Sequence, residues 1–315
     1  MKTVLLLETI DDEADILLRE NCKVIEAFPG SDVISIAQKS SFQAIITRGK
    51  GKVNRELMNT CPDLVAVARC GVGLDNVDVA EASSRNIRVI NAPGSNSDTI
   101  AEHTLTLMLM SLRNVWKSAE RVKAGDWAWR NHYSGDELRG KTLGILGMGN
   151  IGQRVARLAV AFGMSVIYWD KFPVQSTFKS FSMEEVLRRA DIVTIHVPLL
   201  DGTENLIGKK ELSLMQPHAF LINAARGAIV DEEALIEALN QDVIAGFAAD
   251  VLANEPPAEH HPLVNHPKTL ITPHTGSLTK TTYREMCVYT VENVIAVLSG
   301  KNPDPQSVFN NDSLV

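Results

Sequence analysis

The stretch Lys141-Thr-Leu-Gly-Ile-Leu-Gly147-Met-Gly149-Asn-Ile-Gly152, a helical run over 153–162, and then Ser165-Val-Ile-Tyr-Trp-Asp170 decide the fold. Residues 143–146 are a short apolar run of the kind that makes a buried strand. The glycines give a G-x-G-x-x-G turn, and a second apolar strand ends on an acid. This is the pattern of a dinucleotide-binding β-α-β unit. Gly147 permits a tight turn, Gly149 lets the backbone approach a pyrophosphate, and Gly152 lets helix and strand pack closely. Asn150 and Ile151 lie in the same cofactor turn, and the helix that follows offers its free amides and positive dipole end to the anion. Asp170 falls eighteen residues after Gly152. A carboxylate there can accept from both hydroxyls of the adenosine ribose and would repel a 2′-phosphate, so NAD is expected rather than NADP.

A chain of 315 residues and 34.5 kDa has room for two domains with separate cores. Its net charge of -7 and pI near 5.7 give no general attraction to nucleic acid or an anionic membrane, so a phosphate-bearing ligand must be met by local basic groups. Cys22, Cys61, Cys70 and Cys287 contain no C-x-x-C pair and suit a reducing compartment better than a disulfide framework. The apolar run at the N-terminus is too short for a signal peptide and is followed by Asp11, Asp12 and Glu13. No apolar stretch reaches membrane-spanning length, and a cytoplasmic protein is expected.

From the N-terminus to residue 90, short apolar runs alternate with amphipathic ones. Strands are expected over 4–7, 23–26, 44–47, 64–68 and 88–90, and helices over 13–20, 33–39, 55–60 and 77–85. Such alternation means a parallel sheet. The region lacks a glycine turn followed by an acid, so the cofactor is not assigned to it. Two strand-end loops are glycine-rich and basic: Arg48-Gly49-Lys-Gly-Lys52 and Arg69-Cys70-Gly71-Val72-Gly73. Ligands of open α/β sheets lie at the carboxyl ends of strands, and glycine-rich backbone there presents N–H groups to an anion. Either loop can hold a substrate carboxylate. Lys50 and Lys52 read equally well as solvated surface charges.

Ala92-Pro-Gly-Ser-Asn-Ser97 punctuates the end of this region, and Asn96 or Ser97 caps a long helix through 101–110. That helix is apolar round much of its circumference and is expected to be buried between domains or subunits. His103 within it reads as a satisfied structural histidine rather than a metal ligand. After Gly125 comes a segment carrying Trp127, Trp129, Arg130, His132 and Tyr133, suited to packing on a partner subunit. Beyond Asp170, helices are expected over 182–190, 209–214, 231–240 and 277–298, with strands over 192–197, 219–223, 243–250 and 269–271. The tail after the last helix is short, and no further regulatory domain is expected.

Three strand ends in the cofactor region carry chemistry. Asn223-Ala-Ala-Arg226-Gly227 supplies a guanidinium, Asp250 to Glu255 supplies two carboxylates, and Pro273-His274-Thr-Gly276 supplies an imidazole. If the strands are parallel, the three loops open on one edge, where the nicotinamide would lie. Hydride transfer at a hydroxyl-bearing carbon needs a group that takes the hydroxyl proton, and His274 suits this. Glu255 beside it would favour and orient the imidazolium, and Arg226 can grip a carboxylate and polarise a carbonyl. Taken singly, each residue has a bland alternative as a surface ion pair, a turn carboxylate or a core histidine. His260, His261 and His266 lie close together, but their proline-rich loop has no cysteine and no helical i, i+4 pair, and no metal is assigned.

Gly147 to Gly152, Asn223-Ala-Ala-Arg-Gly-Ala-Ile-Val-Asp231, Asp250 to Pro257 and Pro273-His274 occur in the order found in the NAD-dependent D-2-hydroxyacid dehydrogenases. With Gly71-Val-Gly-Leu-Asp-Asn-Val-Asp78 and Ala101-Glu-His103, the resemblance to that family covers nearly the whole chain. It implies two doubly wound α/β domains, a Rossmann NAD-binding domain (97–287) inserted into a discontinuous, flavodoxin-like substrate domain (1–96 and 288–315). It implies Arg226, Glu255 and His274 as the catalytic set, and a homodimer built largely through the cofactor domains. Cofactor contacts are implied at the glycine turn, Asp170, His196, Val197, Pro198, Thr203, Ala224, Ala225, Arg226, Asp250, His274 and Gly276. Substrate contacts are implied at Arg48, Gly49, Cys70, Gly71, Val72, Arg226 and His274.

Pro93-Gly-Ser-Asn-Ser97, Gly125-Asp-Trp127 and the run from Glu137 to Gly147 are similar to the phosphoglycerate dehydrogenase branch. The chain departs from the family where Asn150 replaces a frequent arginine, and from that branch where the segment after Trp127 lacks its basic cluster. These put a phosphorylated substrate in question, and Arg48, Lys50, Lys52 and Arg130 are the candidate phosphate ligands. Hydroxypyruvate, glyoxylate or another 2-keto acid is the alternative substrate. Two rivals belong to other classes: an NADH-sensing, co-repressor-like binding protein on the same fold, and an S-adenosylmethionine-dependent methyltransferase, against which the full glycine spacing and His274 argue.

Overall fold

The computed structural model describes residues 1–200 and 202–314. They divide into two compact units, Met1–Asn96 together with the stretch from Leu278 onward, and Ser97–Ser277. The return crossing falls at 277/278, not at the 287/288 expected from the sequence. The later boundary would cut through one unbroken helix, Lys280–Leu298, whose start is fixed by the Thr279 side chain accepting from the Thr282 amide.

The first unit contains β1 (Thr3–Leu6), α1 (Asp12–Asn21), β2 (Lys23–Glu26), α2 (Val33–Ala37), β3 (Ala44–Thr47), α3 (Arg55–Asn59), β4 (Ala66–Arg69), α4 (Val79–Ser84) and β5 (Arg88–Ile90). The side chains of Asp11, Asp32, Asn54 and Asp78 cap the four helices, each accepting from an amide in the first turn. The strands pair in parallel in the order β2-β1-β3-β4-β5, the flavodoxin-like order. Val4 and Leu6 enter one core and Leu5 and Leu7 the other, so β1 is apolar on both faces. That double burial explains why these strands read as continuous apolar runs rather than alternating ones.

The second unit opens with α5 (Ser97–Leu112), α6 (Val115–Lys123) and a 3-10 turn at Trp127–His132. Then follow β6 (Thr142–Leu146), α7 (Asn150–Ala161), β7 (Ser165–Trp169), β8 (Lys179–Ser180), α8 (Met183–Arg189), β9 (Ile192–Ile195), α9 (Lys209–Leu214), β10 (Phe220–Asn223), α10 (Glu232–Asn240), β11 (Gly246–Ala249), α11 (Pro262–Asn265) and β12 (Thr269–Ile271). The sheet is wholly parallel, in the order β12-β11-β10-β9-β6-β7-β8. The order reverses between β6 and β9, which makes the doubly wound arrangement of a dinucleotide-binding sheet. Gly144 in β6 admits α8, since a Cβ there would lie 2.7 Å from Val186 Cγ1. The apolar face of α5 is covered inside its own unit: Ala101, Leu105, Met108 and Leu112 share one core with Val155 and Ala159 of α7 and with Ile222 and Ala248 of the sheet. The chain returns to the first unit with α12 (Lys280–Leu298), whose Cys287, Val291 and Val294 join the core against β4 and α1. Among the described residues, no helix is long and apolar enough to cross a membrane.

Candidate active site

The register of the second sheet places six strand ends in one line: Trp169 opposite Leu146, Leu146 opposite Ile195, Ile195 opposite Asn223, Asn223 opposite Ala249, and Ala249 opposite Ile271. The glycine turn, Asp170, His196, Arg226, Asp250 and His274 therefore all leave from one edge. At the switch point Gly147 takes φ +100, a backbone conformation suited to glycine. A Cβ there would meet the His196 carbonyl carbon at 2.7 Å, so the β6 and β9 loops pack backbone to backbone.

The three glycines separate cleanly by cause. A Cβ on Gly152 would lie 2.1 Å from the Gly147 carbonyl oxygen, so this glycine serves the turn itself. A Cβ on Gly149 would meet nothing within 4 Å, and its φ of -73 suits any residue. Among the described residues, no packing demands a glycine there. Open space at the start of a twelve-residue helix with no side-chain cap fits backbone kept bare for a phosphate. Asp170 is anchored beside it, with Oδ2 accepting from the Met148 amide at 2.8 Å and Oδ1 from the Phe172 amide at 3.0 Å. Its remaining lone pairs suit ribose hydroxyls. Arg154, which sequence reading passed over, lies one turn further along α7 and donates to the Asn150 side chain and to Asp98.

His196 sits just past β9, its Nε2 on the Thr194 hydroxyl at 3.0 Å. Burial drives its pKa down to about 3, so the ring is neutral at ordinary pH, and its Nδ1 is buried without a partner among the described residues. Thr203 closes the loop after Pro198: its hydroxyl donates to the Pro198 carbonyl at 2.6 Å and accepts from the Leu200 amide at 2.8 Å. Buried Asn223 shapes the next loop by accepting from the Ala225 amide and donating to the Arg226 carbonyl, which sets Ala224, Ala225 and Arg226. Gly227 brings this loop against the following one, since a Cβ there would lie 1.9 Å from the Leu252 carbonyl carbon.

The structure joins Glu255 to His274. Glu255 Oε1 accepts from the Leu252 amide at 3.0 Å, and Oε2 lies 2.7 Å from His274 Nδ1. Burial raises the Glu255 carboxyl, but the hydrogen bonds from His274 and Leu252 outweigh it and hold the group below the ordinary value. With Nδ1 engaged, Nε2 is the nitrogen left to serve a reacting oxygen. Asp250 organises the turn that carries His274: Oδ1 accepts from the Thr272 hydroxyl at 2.6 Å and the Thr275 amide at 2.9 Å, and Oδ2 from the Gly276 amide at 2.7 Å. His103 Nε2 lies 3.4 Å from the same carboxylate, which gives that histidine its structural partner. In the 260–266 loop His261 Nε2 lies 3.2 Å from Glu232, and His266 Nδ1 accepts from the Lys268 amide.

The first unit corrects the expectation for the 48–52 loop. Glu8 is only 3% exposed. Its Oε2 accepts from the amides of Arg48, Gly49, Lys50 and Gly51 at 2.9, 2.7, 2.9 and 3.0 Å, and from the Thr47 hydroxyl at 2.9 Å. The anion-binding concavity exists, but the chain's own carboxylate fills it, so Gly49 has no amide to give a substrate. Burial raises the Glu8 carboxyl and these bonds more than offset that, leaving it below the ordinary value. Cys70 is corrected likewise: its thiol is buried in the core with Cys287 and offers a ligand no side chain. In the neighbouring loop the Gly71 amide donates to the Arg69 carbonyl, and the Val72 carbonyl accepts from Asn91.

A parallel sheet with a glycine turn and an acid at its switch point, and a carboxylate-paired imidazole on the same edge, defines the Rossmann class of dinucleotide-binding proteins. Residues 105–276, more than half of the chain, match the family model described as D-isomer specific 2-hydroxyacid dehydrogenase, NAD binding domain. D-3-phosphoglycerate dehydrogenase of Bacillus subtilis is 40% identical over 284 residues, covering 86% of this chain and 54% of that protein. The chain thus spans about half the length of that relative. Glyoxylate reductase of Aeropyrum pernix is 40% identical over 287 residues, covering 87% of this chain and 85% of that protein. The crystal structure of a protein from Thermus thermophilus matches with a TM-score of 0.90 at 37% identity, covering 96% of this chain and 98% of that one. The chain belongs to the D-isomer specific 2-hydroxyacid dehydrogenase family.

Proposed function

We propose that the protein is an NAD-dependent oxidoreductase that interconverts a D-2-hydroxy acid and its 2-keto acid. The observation that carries this reading is the 2.7 Å contact of His274 Nδ1 with Glu255, on the sheet edge that also bears the glycine turn. Bound NADH supplies the hydride. His274 delivers a proton from Nε2 to the carbonyl oxygen during reduction and takes it back during oxidation. Glu255 favours the protonated ring and holds its orientation. Arg226 grips the substrate carboxylate and polarises the carbonyl. In the first unit, the Arg48 side chain and the Val72 and Gly73 backbone are the proposed carboxylate contacts, since the Gly71 amide already donates to the Arg69 carbonyl.

The substrate is a small 2-keto acid, with glyoxylate, hydroxypyruvate and phosphohydroxypyruvate as the candidates. Glu8 favours the unphosphorylated ones, because the loop amides that would have cradled a phosphate are already satisfied. A phosphate would be left to the side chains of Arg48, Lys50, Lys52 or Arg130. The reading extends to a homodimer built through the cofactor unit. The test of the site is His274→Asn. Reduction of the preferred 2-keto acid should fall by about 100-fold or more while NADH affinity stays within about twofold; near-normal turnover would exclude His274 as the acid.

A further inference from the structure

The switch point of the first sheet lies between β1 and β3, where Leu6 stands opposite Ile46. In doubly wound sheets this is where a ligand settles. Here Glu8, two residues past β1, occupies the position and takes hydrogen bonds from four consecutive amides and the Thr47 hydroxyl on one oxygen, Oε2. Its other oxygen faces the Arg48 guanidinium, with Oε1 3.9 Å from Nε. The far side of that guanidinium is also held. Arg48 Nη1 donates to the Tyr283 hydroxyl at 3.2 Å, and the group lies 5.7 Å from the Tyr283 ring centroid. The Arg48 carbonyl accepts from Arg69 Nε at 2.9 Å, and Asn76 closes the loop by donating to the Gly51 carbonyl at 2.7 Å. Gly51 lies against β1, since a Cβ there would meet Leu7 Cβ at 2.7 Å.

We propose that Glu8 is a positioning residue for substrate binding: it fills the loop as an internal anion and thereby presents the Arg48 side chain in one orientation. The proposal rests on the reading of Arg48 as a substrate ligand. It gives a physical account of why a loop rich in glycine and lysine carries a buried carboxylate. Without an acceptor, four amides crowded on one point would turn outward, and Arg48 would lose both its backbone anchor and its charge partner. An arginine with one preset orientation loses less conformational freedom when it closes on a carboxylate.

The test uses the full-length protein, NADH and whichever of glyoxylate, hydroxypyruvate or phosphohydroxypyruvate it reduces best, with Glu8→Gln, Arg48→Met and the double variant. Glu8→Gln is expected to raise KM for the keto acid roughly tenfold, with kcat and the KM for NADH within about twofold. Arg48→Met should do the same, and the double variant should match Arg48→Met alone, because Glu8 acts through Arg48. A KM unchanged by Glu8→Gln but raised by Arg48→Met would overturn the proposal and leave the reading of Arg48 standing, as would two effects that simply multiply. If Arg48→Met itself leaves KM unchanged, the reading and the proposal fall together. Should Glu8→Gln not fold, Thr47→Val removes one donor to the same oxygen and keeps the charge. A two- to fivefold rise in KM supports the proposal, and no rise overturns it.

Discussion

His274 takes φ +55, a left-handed conformation that costs a non-glycine residue on the order of 1 kcal/mol. The strain is held by its neighbours: Asp250 accepts from the Thr275 and Gly276 amides, so the turn cannot relax without breaking two charge-assisted bonds. In this conformation the ring places Nδ1 2.7 Å from Glu255 Oε2. In the proposed mechanism reduction draws on the protonated imidazole, which a neighbouring carboxylate favours. In Glu255→Gln the loss of reductive activity with rising pH should therefore begin at lower pH than in wild type. An unchanged pH-rate profile would remove Glu255 from this role. The sign for stability is opposite in direction. The Glu255 carboxyl lies below its ordinary 4.5, so the pair's contribution is present above that value and lost as pH falls through the depressed one. That His274 and Glu255 lie on one sheet edge was readable from residue types at strand ends. That Asp250 faces three protein donors was not, because Thr272, Thr275 and Gly276 come from a loop more than twenty residues downstream.

At the scale of elements, the β6 turn into α7 makes a prediction that separates two glycines of one motif. Gly152→Ala sets a carbon against the Gly147 carbonyl and should cost about 3 kcal/mol, lowering the melting temperature of the second unit by roughly 10 °C. Gly149→Ala meets nothing within 4 Å and should melt like wild type, yet bind NADH roughly tenfold more weakly, about 1.4 kcal/mol. Calorimetry and fluorescence titration read the two effects; normal NADH affinity in Gly149→Ala would mean that no phosphate approaches there. Long apolar strands and their following helices were legible because burial on both faces leaves no polar interruption, as in β1, β3 and β9. The helix α6 was not. It follows Asn114 in a left-handed conformation, and its short apolar stripe of Val115, Ala119 and Val122 is left unburied rather than packed on the core. The 3-10 turn at Trp127–His132 was visible only as an aromatic segment, since its residues also lack burial.

At the scale of the whole molecule, the order of units was legible from motif order, but the place of return was not, because α12 carries a weak apolar bias over its whole length and shows no internal break. The Glu8 loop was beyond sequence reading for a different reason: the carboxylate and its donors lie 39 to 43 residues apart. Trp127 is 68% exposed, and with Val122, Trp129 and Tyr133 it lines a shallow apolar hollow. For the proposed homodimer this is the surface to be covered. Light scattering should find a dimer for wild type and a shift toward monomer for Trp127→Glu; a monomeric wild type would remove the dimer from the account. NADH oxidation by the purified protein against glyoxylate, hydroxypyruvate, phosphohydroxypyruvate, pyruvate and 2-ketoisocaproate tests the dehydrogenase activity itself. Turnover of at least one of them, with the D-hydroxy acid as product, is the expected result, and preference among them decides whether a phosphate is recognised. NADH bound tightly with no turnover of any would contradict the dehydrogenase reading and point to an NADH-sensing binding protein.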